Sequence, residues 1–158
     1  MNIEDLKQDS IIGNLDDFQL EKIVPLLTAH HFLKGDQITT KGDTADHFYM
    51  LITGKIFLEQ RISSDITHTV ATIPEGHSFG WASIFKEGKY ISEAFSADDC
   101  LIYSVKGFDL RELMDTDHSM GYSIMRNILT FLNKRLSIRT EQLLHAIKTH
   151  PDFSLLDL

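Results

Sequence analysis

Cysteine is almost absent from this chain. Cys100 stands alone among 158 residues, so neither an internal disulfide framework nor a multi-cysteine zinc site can form. Long apolar runs are missing as well, since none approaches the ~20 residues that span a bilayer. The opening Met1-Asn2-Ile3-Glu4-Asp5 lacks the basic and then apolar order of a secretory signal. Basic charge is scarce: 15 Lys and Arg stand against 23 Asp and Glu, a net charge of −8. A chain this acidic has no general attraction for nucleic acid or an anionic membrane. Neither a Gly-x-Ser-x-Gly elbow nor a Gly-x-x-x-x-Gly-Lys phosphate loop occurs, and Cys100 sits in an apolar segment where it reads as a small core residue. These absences predict a soluble, cytoplasmic protein that is not an enzyme.

What is present fits one domain of ordinary size. Its charge is uneven. From Asp117 to Thr149 five basic residues face two acidic ones, a balance of +3 that leaves −11 to the rest. The C-terminal stretch is a mildly basic arm on an acidic body, for which a solvated helix face is the plain explanation.

Residues 1–29 read as helical. Asp16 and Asp17 precede an apolar stripe of Phe18, Leu20, Ile23, Val24 and Leu27, and Pro25 stops or kinks it. Over residues 30–105 the period changes to two, in segments such as Phe48 to Ile52, Lys55 to Leu58, Ile66 to Ile73 and Leu101 to Val105. Turn signals recur at short spacing, among them Lys34-Gly35-Asp36, Lys41-Gly42-Asp43, Thr53-Gly54 and Pro74-Glu75-Gly76. Many short strands with regular turns predict a sandwich, jelly roll or barrel.

Helical signals return over residues 106–149. There Tyr122, Leu129, Leu136 and Leu143 fall on one heptad position, and Met125, Leu132, Arg139 and Ala146 on the other. Ile124, Ile128, Phe131 and Ile138 form a stripe on an adjacent face. Two apolar faces need two partners: the chain's own β domain and, on the simplest reading, the same helix of a second copy in a two-fold dimer. The dimer candidates are Tyr122, Met125, Leu129, Leu132, Leu136 and Leu143; the alternative is a helix packed wholly on its own barrel. Arg139 at a core position must snorkel, meet a carboxylate or meet a ligand. Residues 150–158 form a tail whose Phe153-Ser154-Leu155-Leu156 is apolar enough to fold back.

The order of helix, about eight short strands and a long helix resembles cyclic-nucleotide-binding domains. Lys34 to Ile38, Gly42 to Tyr49 and Gly54-Lys55-Ile56 are similar to that family's paired turns around a β-roll, and Ser78 to Phe85 within 78–97 is similar to its phosphate-binding cassette. The likeness runs from about Leu15 to Leu144. It implies a mainly β fold, a double-stranded β-helix or jelly roll flanked by helices, with a long C-terminal dimerisation helix. It also implies regulation: a stand-alone sensor in which a small anionic ligand, such as a cyclic nucleotide, repositions that helix and alters a contact with a protein partner. The stretch from Pro151 to Leu158, eight residues, is too short for a helix-turn-helix, so no DNA-binding module is expected.

A glycine leading into a short helix exposes backbone N–H groups to an anion, which makes Phe79, Gly80, Trp81, Ala82 and Ser83 candidates. The family commonly places a glutamate after this glycine and an arginine further on. Here Trp81 and Tyr90 stand at those places, with Lys89 able to slide into the arginine's role and Ser92 in that of the family's Ser or Thr. A hydrogen bond to a charged group contributes about 1.5–3 kcal/mol, so losing two anchors costs about 3–5 kcal/mol, several hundredfold in affinity or more. Cyclic AMP and cyclic GMP are therefore expected to bind weakly or not at all. Position by position, Arg139 and Thr140 fall where the family contacts the base. The rival class is a cupin-like metalloprotein or metal-dependent enzyme on a similar β-roll. Cupin chemistry needs a His-x-His pair, none occurs, and the adjacent His30 and His31 face opposite sides of any strand.

Overall fold

The structure is a computed structural model and describes residues 1–149. The apolar tail segment Phe153 to Leu156 lies outside the described residues. Two short helices open the chain, α1 (Ile3–Lys7) and α2 (Asp17–Ile23). Asp16 accepts the Gln19 backbone N–H at 2.8 Å while the Gln19 side chain accepts from Asp16, a reciprocal cap that fixes the start of α2. Pro25 then turns the chain through a 3-10 turn, Val24–Leu26. Leu20, Ile23 and Leu27 of the predicted stripe are buried. Phe18 is not: it is 67% exposed and lies under the Lys22 ammonium, 4.5 Å from its ring centroid. The stripe is narrower than the spacing suggested because α2 is only two turns long and shows one edge to the core.

Eight strands follow among the described residues: β1 (Thr28–Phe32), β2 (Gln37–Thr39), β3 (His47–Thr53), β4 (Lys55–Arg61), β5 (Thr67–Pro74), β6 (His77–Phe79), β7 (Glu93–Ser96) and β8 (Cys100–Lys106). They pair antiparallel in two four-stranded sheets, ordered β1-β8-β3-β6 and β2-β7-β4-β5. The turn spacing predicted a sandwich, jelly roll or barrel, and of these the structure is the β-roll with flanking helices that the family resemblance implied.

The central strands of the first sheet, β8 and β3, are buried on both faces, which explains the near-continuous apolar run in β3. Leu51 and Ile102 point into the roll with Ile56, Leu58, Ile73, Phe79 and Cys100. Phe48, Met50, Tyr103 and Val105 point outward into a second cluster under the helices. Helices α3 (Gly107–Thr116) and α4 (His118–Thr149) complete that layer, with Met120, Ile124 and Ile128 buried on it. Asp117 ties the layer together. It accepts the Met120 N–H at 3.1 Å and pairs with Lys22 at 2.9 Å, and these bonds hold its carboxyl well below the ordinary carboxylate range. Beyond Ile128 the helix projects past the layer. Tyr122, Leu129, Leu136 and Leu143 are each more than 60% exposed, while Leu132 is partly buried.

Candidate functional site

The open end of the roll is closed by α4, and between them lies a cavity of about 560 Å³. That is within the ~300–1,000 Å³ usual for small-molecule sites. Its floor is the roll interior, Leu58, Ile73 and Phe79. One flank is the Ser78 to Ala82 segment, the other is Tyr90 to Ser92, and the lid is the α4 face bearing Leu132, Arg135, Leu136 and Arg139.

The Ser78 to Ala82 flank is shaped by one residue. Gly80 has φ +72°, and a Cβ there would stand 2.7 Å from the His47 carbonyl oxygen and 2.9 Å from the Tyr49 ring, so only glycine fits. The next four residues, Trp81–Ile84, form a 3-10 turn whose Ser83 N–H returns to the Gly80 carbonyl at 3.0 Å. The Trp81 and Ala82 N–H groups precede that first closing bond and lie at the start of the turn.

The sequence-predicted residues divide into two groups. Phe79, Gly80, Trp81, Ala82, Tyr90, Ser92 and Arg139 all line the cavity. Lys89, Ser83 and Thr140 do not. Lys89 lies in an isolated bridge with Thr44. Ser83 is fully buried on the α3 side, where its carbonyl accepts from the Arg111 guanidinium at 2.6 Å and where Gly107 leaves no room for a Cβ. The Thr140 hydroxyl donates to the Leu136 carbonyl one turn back, 2.9 Å away. Trp81 is a wall of the cavity rather than its filling, because its ring packs against the cluster under the helices.

Tyr90 fills the position where sequence likeness placed an arginine. Its hydroxyl accepts the His47 N–H and donates to the His47 carbonyl, both at 3.2 Å. Burial pushes the phenol above its ordinary range, so it stays neutral at physiological pH.

Sequence reasoning did not select Arg135, Thr39 or Gln60, yet all three line the cavity. Arg135 sits four residues before Arg139, one helical turn away on the same face, and that spacing was the available signal. Burial, and then the Arg139 charge, make the Arg135 guanidinium less basic than usual. Arg139 is anchored differently. The β4–β5 register passes from Leu58 opposite Ala71 to Glu59 opposite Thr69, so Val70 is the extra residue of a β-bulge. Its carbonyl accepts from the Arg139 guanidinium. The bulge therefore links β5 to α4 across the cavity mouth.

Asp9 holds Ser78, a lining residue, from outside the cavity. It is 5% exposed, accepts the Ile11 and Ile12 N–H groups at 2.9 and 3.1 Å, and accepts the Ser78 hydroxyl at 2.5 Å. Burial is the dominant influence and raises its carboxyl above the ordinary 3.8. Among the described residues, no three His, Cys, Asp or Glu side chains are grouped so as to hold a metal ion, and no helix is long and apolar enough to cross a membrane.

Known proteins share both the pattern and the fold. The family model for the cyclic nucleotide-binding domain matches residues 29–117. Human cGMP-dependent protein kinase 2 is 28% identical over 83 residues, which are 52% of this chain but only 11% of that protein. A structure from Geobacter metallireducens, provisionally assigned as a cyclic nucleotide-binding protein, is 25% identical with a TM-score of 0.73 and covers 86% of this chain and 98% of its own. The catabolite activator protein of Thermus thermophilus shares the fold at a TM-score of 0.74 and 19% identity, over 89% of this chain and 64% of that one.

Proposed function

This chain belongs to the cyclic nucleotide-binding domain family, and we propose that it is a regulatory sensor whose ligand is a small anionic molecule held between the roll and α4. The observation that carries this reading is the placement of the cavity. Its lid is α4 itself, so whatever fills the cavity changes what the distal half of that helix packs against. A ligand that contacts the lid in one helix position better than in another shifts the balance between them. The exposed heptad face, Tyr122, Met125, Leu129 and Leu143, with Leu136 on the edge it shares with the cavity lid, suits a second copy of this chain, and the change in helix position reaches a protein partner through that dimer.

Binding of cyclic AMP or cyclic GMP is weak or absent on this reading. Among the described residues, no carboxylate lines the cavity to accept from a ribose hydroxyl. Lys89 lies outside the wall, and the Tyr90 hydroxyl is already bonded to the His47 backbone. Trp81, the only tryptophan, reports the test. Its fluorescence is followed while cyclic AMP and cyclic GMP are titrated, with thermal stability measured in parallel. The expected result is no saturation at micromolar nucleotide. Saturable micromolar binding that is lost on Lys89→Ala would contradict it and would restore a standard anchor in altered form.

A further inference from the structure

The two ends of the cavity differ in their provision for negative charge. At the Gly80 end no cationic side chain among the described residues lines the wall. At the α4 end stand Arg135 and Arg139. The same two arginines wall a second recess of about 280 Å³ between β5 and α4, which Lys134 joins. Among the described residues, neither hollow has an aspartate or glutamate in its wall. Among the described residues neither arginine takes part in an ion pair. The partners of Arg139 are neutral, the bulged Val70 carbonyl and the Gln142 side chain at 3.1 Å. Between the two ends the surface is mainly apolar, with Leu58, Ile73, Phe79 and Leu132, and its polar groups, among them Thr39, Gln60 and Ser92, are uncharged.

We propose that the ligand is an amphipathic organic anion, with its apolar or aromatic body in the roll interior and its anionic group on Arg135 and Arg139. Two like charges one helical turn apart repel each other, and an anion set between them removes that cost. The planar guanidinium fork matches carboxylate, sulfonate or phosphate oxygens with paired N–H groups. This polarity is the reverse of the one the family resemblance implies, in which the phosphate lies at the cassette. It gives a reason for the neutral, self-bonded Tyr90 at the other end. It also couples occupancy to helix position, because an anion that draws Arg139 off the Val70 carbonyl loosens the link between β5 and α4. The proposal rests on the reading of the cavity as a ligand site.

Two fluorescent molecules with the same aromatic body test it. Anilinonaphthalenesulfonate is an anion, and phenylnaphthylamine lacks the sulfonate. Both are titrated into the intact chain, the Arg135→Gln/Arg139→Gln variant and the charge-preserving Arg135→Lys/Arg139→Lys variant, with circular dichroism confirming that each is folded. The expected result is saturable binding of both at one per chain, with the sulfonate favoured. That preference should fall by about tenfold or more in the glutamine variant, persist largely in the lysine variant, and weaken with added salt. Comparing the two molecules cancels the apolar part of any affinity for the exposed face of α4, and the two arginine variants leave the other basic residues of that helix unchanged. If the sulfonate's advantage survives in the glutamine variant, the anion pole lies elsewhere and the proposal is overturned, while the cavity reading stands. If neither molecule binds saturably, both fail.

Discussion

The two halves of α4 are one continuous helix, yet they are held by different things. From His118 to Ile128 the helix is part of the core: Met120, Gly121, Ile124 and Ile128 are buried. Asn127 donates to the Ile11 carbonyl at 2.6 Å and to the Asn14 side chain at 2.7 Å, and a Cβ on Gly121 would stand 2.9 Å from the Met114 carbonyl oxygen. From Leu129 onward no described residue is buried, and the inward face meets the cavity through Leu132, Arg135, Leu136 and Arg139. The proximal half is positioned by packing, which is strong and has one solution. The distal half is held more lightly, by Phe131 and Leu132 at the edge of the cluster and by Arg139 on the Val70 carbonyl; on the proposed reading, a ligand in the cavity and a second copy on the outer face add to these contacts. The helix is tightly packed where it joins the domain and lightly held beyond Leu132.

The sharpest way to break this contrast is to cut the same apolar group from each half. Ile124→Ala should cost about 2–5 kcal/mol in denaturant unfolding, as for other fully buried aliphatic side chains. Leu129→Ala, five residues on and 68% exposed, should change the stability of dilute monomer by no more than about 0.5 kcal/mol. Equal costs would mean that the halves are not held differently.

At the far wall of the cavity, Gly80→Val forces a β-branched residue into the left-handed region against the His47 carbonyl. The backbone term alone is about 1–2 kcal/mol. The variant should stay folded by circular dichroism yet lose saturable binding of the aromatic sulfonate. Retained binding with full affinity would remove the Gly80 turn from the site.

Asp9 gives a smaller effect whose sign is fixed. Its pKa is raised in the folded chain, so between the ordinary value of 3.8 and that raised value the folded state holds more protons than the unfolded state. Stability from this group is therefore full at the acidic end and is lost as pH rises through the folded pKa. Asp9→Asn keeps an acceptor for the Ile11 and Ile12 N–H groups but does not titrate. Wild type should gain on this variant as pH falls from neutrality toward 4, in paired unfolding curves. A constant difference across that range would contradict the burial argument.

The least effect on the fold, and a direct one on assembly, is expected from Leu129→Ser with Leu143→Ser. Both lie on the exposed heptad face. Sedimentation should show the dimer weakened by about tenfold or more, with monomer stability almost unchanged. An unaltered sedimentation profile would place the interface elsewhere.

These contrasts also show what the sequence could and could not reveal. Strong local signals were legible: the Asp16 cap, the Pro25 break, the turn glycines and the period-two strands all appear where their chemistry requires. The Gly80 turn was legible because a left-handed residue before a short helix leaves few alternatives to glycine. Phe18 misled because spacing does not say how wide a buried stripe is on a two-turn helix. Arg135 was passed over as a cavity residue because the heptad position and the family likeness both drew attention to Arg139, although the turn spacing puts the two on one helix face. The Val70 bulge was hidden for a deeper reason. An inserted strand residue shifts the pairing by one, and nothing in Thr69-Val70-Ala71 marks which residue is extra. Asp9 was equally hidden, since its burial depends on Ser78, far along the chain.

Amide hydrogen exchange along α4 tests the central contrast most directly, because it reads the helix residue by residue without any ligand. In dilute protein, Ile124 to Ile128 should exchange only with global unfolding, while amides beyond Leu132 should exchange at least about 100-fold faster, through local fraying. Raising the protein concentration should extend protection into the distal half as a second copy covers it. Uniform protection along the whole helix in dilute monomer would contradict the account, since the distal half would then need neither a ligand nor a partner to hold its place.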